Sequence, residues 1–278
     1  MTSSNNNPCA PIGVFDSGIG GLSVLKAIRA ALPAEHLIFL ADQAHVPYGP
    51  RSLDEVREFS EGITRYLLAQ GAKLIVVACN TASAAALHHL RRVYPDIPFV
   101  GMEPAVKPAA ELTETGVVGV LATPATFQGE LYASVIERFA NGVTVLQDTC
   151  PGLVMQVESG KTDSPEVHAI LERALSPMLS EGVDTIVLGC THYPFVIPVI
   201  EAIAGPEVRV IDPAPAIARQ VGRLLEQHGL RNSGSAPGKT RFLTSGEPAR
   251  LEVLLSRLIG EEGKAEALVW KEGEVDLL

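Results

Sequence analysis

Ten short runs rich in Val, Ile and Leu alternate along the chain with longer segments of helical period, and few folds can accommodate that alternation. The runs fall at 12–15, 37–41, 74–78, 99–102, 117–122, 143–147, 185–188, 208–211, 241–244 and 267–270. Strand–helix–strand repeats of this kind build mainly parallel sheets with helices on their faces, so the predicted class is α/β. Several runs are apolar without interruption, as strands covered on both faces must be. The helices between them carry their own punctuation. Ser52-Leu53-Asp54-Glu55 is a capping box, after which Val56, Phe59, Ile63 and Leu67 keep helical spacing until Gly71. Ser164-Pro165 opens another helix, and residues 232–238 read as an irregular connection.

Two stretches share one form and suggest a diverged internal duplication. Leu74-Ile75-Val76-Val77-Ala78-Cys79-Asn80-Thr81 and Thr185-Ile186-Val187-Leu188-Gly189-Cys190-Thr191-His192 each run from an apolar strand through a small residue to Cys, a polar residue and a helix. Upstream, Asp16 closes a strand 63 residues before Cys79, and Thr123 closes one 67 residues before Cys190. The near-equal spacing predicts two pseudo-symmetric α/β domains: residues 1–101 with 210–278, and residues 102–209. Each would set one cysteine at the carboxyl end of a strand, where open α/β sheets bind ligands, and the site would lie in the cleft between them.

Two thiols so placed suggest a chemistry. The N–H groups at a helix start favour a thiolate, which predicts that Cys79 and Cys190 both sit below the usual cysteine value of roughly 8.5. Inversion at a carbon acid needs one group to remove the proton and another to return one to the opposite face, and a matched pair of acid/bases meets that need. Asp16 and His192 are placed to exchange protons with them or to orient an ammonium group. Ser17, Asn80, Thr81, Thr123, Thr126, Thr191 and backbone amides at helix starts are donors suited to carboxylates.

Composition narrows the field. The chain has 278 residues, 46% of them hydrophobic, and can fill its core without staples. Four irregularly placed cysteines argue against a disulfide framework and for reduced thiols in a cytoplasm. Met1–Ala10 has neither the basic start nor the apolar run of a signal peptide and reads as an unstructured tail; no later run is long enough to span a membrane. With a net charge of −10 and scattered basic residues, nucleic acid and acidic membranes are not expected partners. The Cys and His spacings do not suit a metal site.

The sequence also resembles the glutamate racemases over nearly its whole length. The segments that carry the resemblance are Gly13-Val14-Phe15-Asp16-Ser17-Gly18-Ile19-Gly20-Gly21, Val46-Pro47-Tyr48-Gly49, Ala78-Cys79-Asn80-Thr81-Ala82-Ser83, Val157-Glu158-Ser159-Gly160 and Leu188-Gly189-Cys190-Thr191-His192-Tyr193-Pro194. The resemblance implies that Cys79 and Cys190 are the catalytic acid/bases, assisted by Asp16, Glu158 and His192. It puts Asp16, Ser17, Pro47, Tyr48, Gly49, Asn80, Thr81, Thr191 and His192 around a glutamate substrate. It implies no pyridoxal phosphate and no metal, a homodimer, and a role in supplying D-glutamate for peptidoglycan. The chain departs from the usual family pattern at Gly129 and at Asp212-Pro213-Ala214.

Other readings attach to the same residues. An aspartate or hydantoin racemase would share the Cys pair. A Cys-dependent amidase would use Cys190, His192 and Glu158 as nucleophile, base and orienter, leaving Cys79 idle. A non-catalytic amino-acid-binding protein would need no paired thiols. Gly18-Ile19-Gly20-Gly21 suggests a nucleotide loop only weakly, since Ser23 stands where the last glycine of that motif belongs and Asp16 would repel phosphate. Cys9 and Cys150 read as buried small hydrophobes.

Overall fold

The computed structural model describes residues 7–278; the expected tail at Met1–Ala10 therefore lies largely outside the described residues. Among the described residues, eleven strands form two sheets. The first sheet has seven: β1 (Ile12–Asp16), β2 (Leu37–Ala41), β3 (Leu74–Val77), β4 (Phe99–Gly101), β9 (Thr240–Thr244), β10 (Ala265–Lys271) and β11 (Glu274–Leu277), in the order β11-β10-β9-β2-β1-β3-β4. The second has four: β5 (Val117–Ala122), β6 (Thr144–Asp148), β7 (Thr185–Gly189) and β8 (Arg209–Ile211), in the order β6-β5-β7-β8. All pairings are parallel except that of β10 with β11. The α/β class follows.

The order β2-β1-β3-β4 recurs as β6-β5-β7-β8, the arrangement expected of a duplicated unit. Strand β8 straddles the expected return at residue 210, and it pairs with β7 in the second sheet. The hairpin strand β11 was not anticipated. It is exposed at three of its four residues, so no apolar run marks it.

Side-chain alternation shows why the inner strands read as unbroken apolar runs. Ile12, Val14, Leu74 and Val76 enter one core, and Phe15, Ile75 and Val77 enter another on the opposite face. In the second sheet Leu121, Ile186 and Leu188 join the first of these cores, while Val118, Val120 and Val187 face a third. One core thus runs under both sheets. Helix Leu22–Ala31 packs on Ala214–Gln227, and Leu53–Ala69 packs on Asn80–Val93. Ser52 caps the latter pair's first helix with both halves of the predicted capping box, and Gly71 follows its end at φ +83°.

The Gly129 departure has a packing cause. A Cβ there would come within 2.6 Å of the Ala84 Cβ on helix Asn80–Val93, so the smallest residue lets the second sheet's helices approach the helix that carries Cys79.

Lys73 and Glu35 form a buried ion pair beside the first sheet, each only 1% exposed. Lys73 Nζ also donates to the Pro8 carbonyl, and Glu35 Oε1 accepts the Asn232 N–H at 2.8 Å. Removing one member of such a pair strands a buried charge. Lys73→Met is expected to lower unfolding free energy by about 3–5 kcal/mol, and adding Glu35→Leu to recover most of it. Urea denaturation of both variants checks this; a nearly neutral single variant contradicts it.

Candidate active site

The carboxyl ends of β1, β3, β5 and β7 meet at a cavity of about 250 Å³. Cys79 and Cys190 both line it, together with Ser17, Pro47, Tyr48, Gly49, Asn80, Thr81, Thr123, Thr191 and His192. The remaining predicted residues stand directly behind that wall. Asp16 ends β1, where its Oδ2 accepts the N–H groups of Gly18 (3.2 Å) and Gly21 (3.0 Å), and its Oδ1 accepts the Thr191 hydroxyl (3.3 Å). Thr126 bonds the Thr123 hydroxyl at 2.9 Å, and Thr123 in turn bonds Thr81 at 2.8 Å across the two sheets. Thr126 thus braces the wall and does not form it.

The two cysteines do not share one local structure. Cys79 caps helix Asn80–Val93, and its sulfur accepts the Ala82 N–H at 3.4 Å. Cys190 is followed by a short 3-10 turn, Tyr193–Val196, before helix Ile197–Ala204 begins, so the predicted helix start directly after it is absent. Its partner is a side chain: His192 Nδ1 lies 3.7 Å from its sulfur. His192 Nε2 in turn meets Glu158 Oε1 at 2.7 Å.

Electrostatics correct a second expectation. Burial pushes the Cys79 thiol well above the ordinary cysteine value, the nearby Asp16 carboxylate adds to that, and the helix N–H from Ala82 only partly offsets them. The predicted thiolate at a helix start assumed water around it, and here there is little: Cys79 is 5% exposed. Burial likewise raises Asp16, against the pull of His192 and the Gly21 N–H. His192 goes the other way. Burial disfavours its charge, but hydrogen bonds with Cys190 and Glu158 outweigh burial and hold it well above the ordinary histidine value. Burial alone would raise Glu158, yet His192, the Ile19 N–H and Gln43 together bring its carboxyl below the usual range.

The glycine cluster now has a physical reason. A Cβ at Gly18 would collide with the Glu158 carboxyl, and one at Gly20 with the His192 ring. Glu158 and His192 come from the second sheet's side, and their side chains fill the space that a Cβ at Gly18 or Gly20 would need. That disposes of the nucleotide-loop reading.

Some neighbours escaped sequence reasoning. Cys150 is buried as expected but lines the same cavity, with its backbone at φ +42°. Cys9, expected inside, is exposed. Asp42 is fully buried and gathers Tyr48 Oη at 2.6 Å, Ser245 Oγ at 2.7 Å and Trp270 Nε1 at 2.7 Å, fixing the cavity-lining Tyr48. Neither Ser245 nor Trp270 gives any sign of this in sequence, since both come from a distant strand edge.

The site can do paired proton transfer: two sulfurs on one cavity, each beside its own ionisable partner. The Cys190–His192–Glu158 line is also what an amidase would require. Known proteins decide between them. Residues 12–221 match the family model described as Asp/Glu/Hydantoin racemase. A glutamate racemase of Roseiflexus sp. is 55% identical over 249 residues, covering 89% of this chain and 92% of that protein. Among solved structures, a glutamate racemase from Francisella tularensis in complex with D-glutamate superposes with TM-score 0.81 at 31% identity, over 94% of this chain and 97% of that one. One from Thermus thermophilus in complex with beta-chloro-D-alanine gives TM-score 0.80 at 38% identity, over 95% and 98%. The chain belongs to the Asp/Glu/hydantoin racemase family, and within it to the glutamate racemases.

Proposed function

We propose that this isomerase interconverts L- and D-glutamate by passing protons between two thiols, Cys79 on one face of the substrate α-carbon and Cys190 on the other, with neither organic cofactor nor metal. The observation that carries the reading is that the ends of two topologically equivalent strands, β3 and β7, bring one sulfur each to a single cavity. D-Glutamate, bound in the Francisella relative, is the product we assign.

The α-hydrogen of an amino acid is a weak acid, so the site must stabilise the charge that develops on the α-carboxylate as the proton leaves. Among the described residues, no Lys or Arg lines the cavity. Neutral donors take that role: Ser17, Thr81 and, above all, Asn80. Both polar atoms of the Asn80 amide lack a partner within the protein, a state that costs about 1–3 kcal/mol unless water or a ligand in the cavity supplies the bonds. Cys79 carries its proton at rest and starts as the donor. When it acts as base, Asp16, made more basic by burial, accepts that proton; on the other face His192 exchanges with Cys190.

Reduced thiols are essential to this scheme, which suits a cytoplasmic enzyme making D-glutamate for peptidoglycan. Among the described residues no helix is long and apolar enough to cross a membrane. We place the chain in a homodimer by its likeness to the family.

Enantiomers have equal free energy in water, so kcat/KM must stay equal in the two directions whatever the mutation. Elimination is free of that constraint. With 3-chloroglutamate, a thiolate takes the α-proton, the electron pair forms the Cα–Cβ double bond and chloride leaves. Cys79→Ala and Cys190→Ala are each expected to cut racemisation by at least about 10³-fold, while each still eliminates HCl from one hand of 3-chloroglutamate, the two variants taking opposite hands. Near-normal racemisation by either variant overturns the two-thiol reading. In the same assay, Asp16→Asn slows elimination by Cys79 about 10²-fold in the Cys190→Ala background.

The His192–Glu158 pair sets a stability signature. Unfolded, these groups titrate near 6.5 and 4.3. Folded His192 lies higher, so its contribution is complete below about pH 6.5 and lost as pH rises through the folded value; folded Glu158 lies lower, so its contribution is complete above about pH 4.3 and lost as pH falls through the folded value. Denaturation across pH should therefore show wild type exceeding Glu158→Gln most between about pH 4.3 and 6.5, with the gap closing on the alkaline side. A gap that widens there contradicts the assignment.

A further inference from the structure

Gln43, in the loop after β2, lies outside the cavity wall and in none of the motifs above, yet it joins the first sheet to the Cys190 partner chain. Its Nε2 donates to Glu158 Oε2 at 3.1 Å, and its Oε1 accepts the Thr244 hydroxyl at 2.9 Å. Both neighbours fix the amide the same way round. A carboxylate can only accept, so the NH2 group must face Glu158. Thr244 Oγ1 already accepts the Gly246 N–H at 2.9 Å, so its own proton points at Gln43. Thr244 is fully buried at the end of β9, which makes it a rigid anchor. Gly246 leaves room for the arrangement, since a Cβ there would come within 2.8 Å of the Gln43 Cβ.

Each Glu158 oxygen thereby has a distinct task. Oε1 takes Ile19 N–H at 2.8 Å and His192 Nε2 at 2.7 Å, while Oε2 has Gln43 as its side-chain donor. Without that second tether the carboxyl group can rotate about its last bond, and the His192 ring that faces Cys190 loses its fixed support. Asp16, by contrast, is held without Gln43: its oxygens accept from Gly18, Gly21 and Thr191.

We propose that Gln43 is a positioning residue for one face of the reaction: through Glu158 and His192 it sets the proton exchange of Cys190 and leaves that of Cys79 untouched. The inference rests on the two-thiol reading above. Its test uses Gln43→Met, which keeps length and removes both polar atoms, in each single-thiol background with the matching hand of 3-chloroglutamate. In Cys79→Ala, where Cys190 is the base, elimination kcat should fall about 10-fold with KM little changed, the loss of one charge-assisted hydrogen bond. In Cys190→Ala, where Cys79 is the base, Gln43→Met should change kcat less than twofold. Thr244→Val, which frees the amide from its anchor, should act in the same direction and by less, and it carries the test if Gln43→Met folds poorly. Equal slowing in both backgrounds, or no slowing in either, overturns the inference. Racemisation by the single-thiol parents would instead overturn the reading beneath it, so the two failures are distinct.

Discussion

A carboxylate inside a protein is tolerated only where donors surround it, and Glu158 is 2% exposed. Its donors come from both halves of the molecule: His192 from the second sheet's side, Ile19 and Gln43 from loops of the first. Pull the halves apart and that charge loses most of its partners at once, at a cost of several kcal/mol. The joint is therefore held by electrostatics as well as by the apolar core running beneath it. Arg250 adds a strut by donating to the Glu158 carbonyl at 3.0 Å. Because Glu158 holds His192, and His192 sits against Cys190, the contact that joins the lobes also positions one of the two sulfurs.

The scaffold is nearly symmetric and its chemistry is not. Equivalent strands deliver the thiols, but Cys79 is served by a carboxyl group and a helix start, Cys190 by an imidazole on a carboxylate relay. A racemase works on two substrates that are mirror images of each other, and the protein around them is not a mirror. Each face must be tuned separately, with whatever acid or base the local backbone can present. The near-match of strand order and the mismatch of partners fit the proposal that each half of a duplicated unit serves one side of the reaction.

Much of this was legible in the chain. Apolar runs gave β1, β2, β3, β5 and β7 because both faces of those strands are covered, and the repeat around Cys79 and Cys190 pointed to the cleft. The sequence was silent where the outcome depended on burial or on partners far along the chain. Cys79 was expected to ionise easily at a helix start, but desolvation, invisible in a string of residues, dominates there. Cys190 was given a helix that the 3-10 turn at Tyr193–Val196 replaces. Thr126, placed on the substrate, braces Thr123 from behind. Gln43 and the Asp42 hub carry no local signal at all, since each is defined by bonds to residues near 158, 245 and 270. The exposed strand β11 lacks the apolar pattern by which strands are found.

The central claim is that separate sulfurs remove and return the proton. Running the enzyme on L-glutamate in deuterium oxide and stopping at low conversion tests it most directly. Two bases predict that every D-glutamate formed carries deuterium at Cα while the recovered L-glutamate keeps its hydrogen. D-Glutamate that retains the substrate's own hydrogen, or recovered L-glutamate labelled as fast as product appears, would mean that one group serves both faces and would contradict the account.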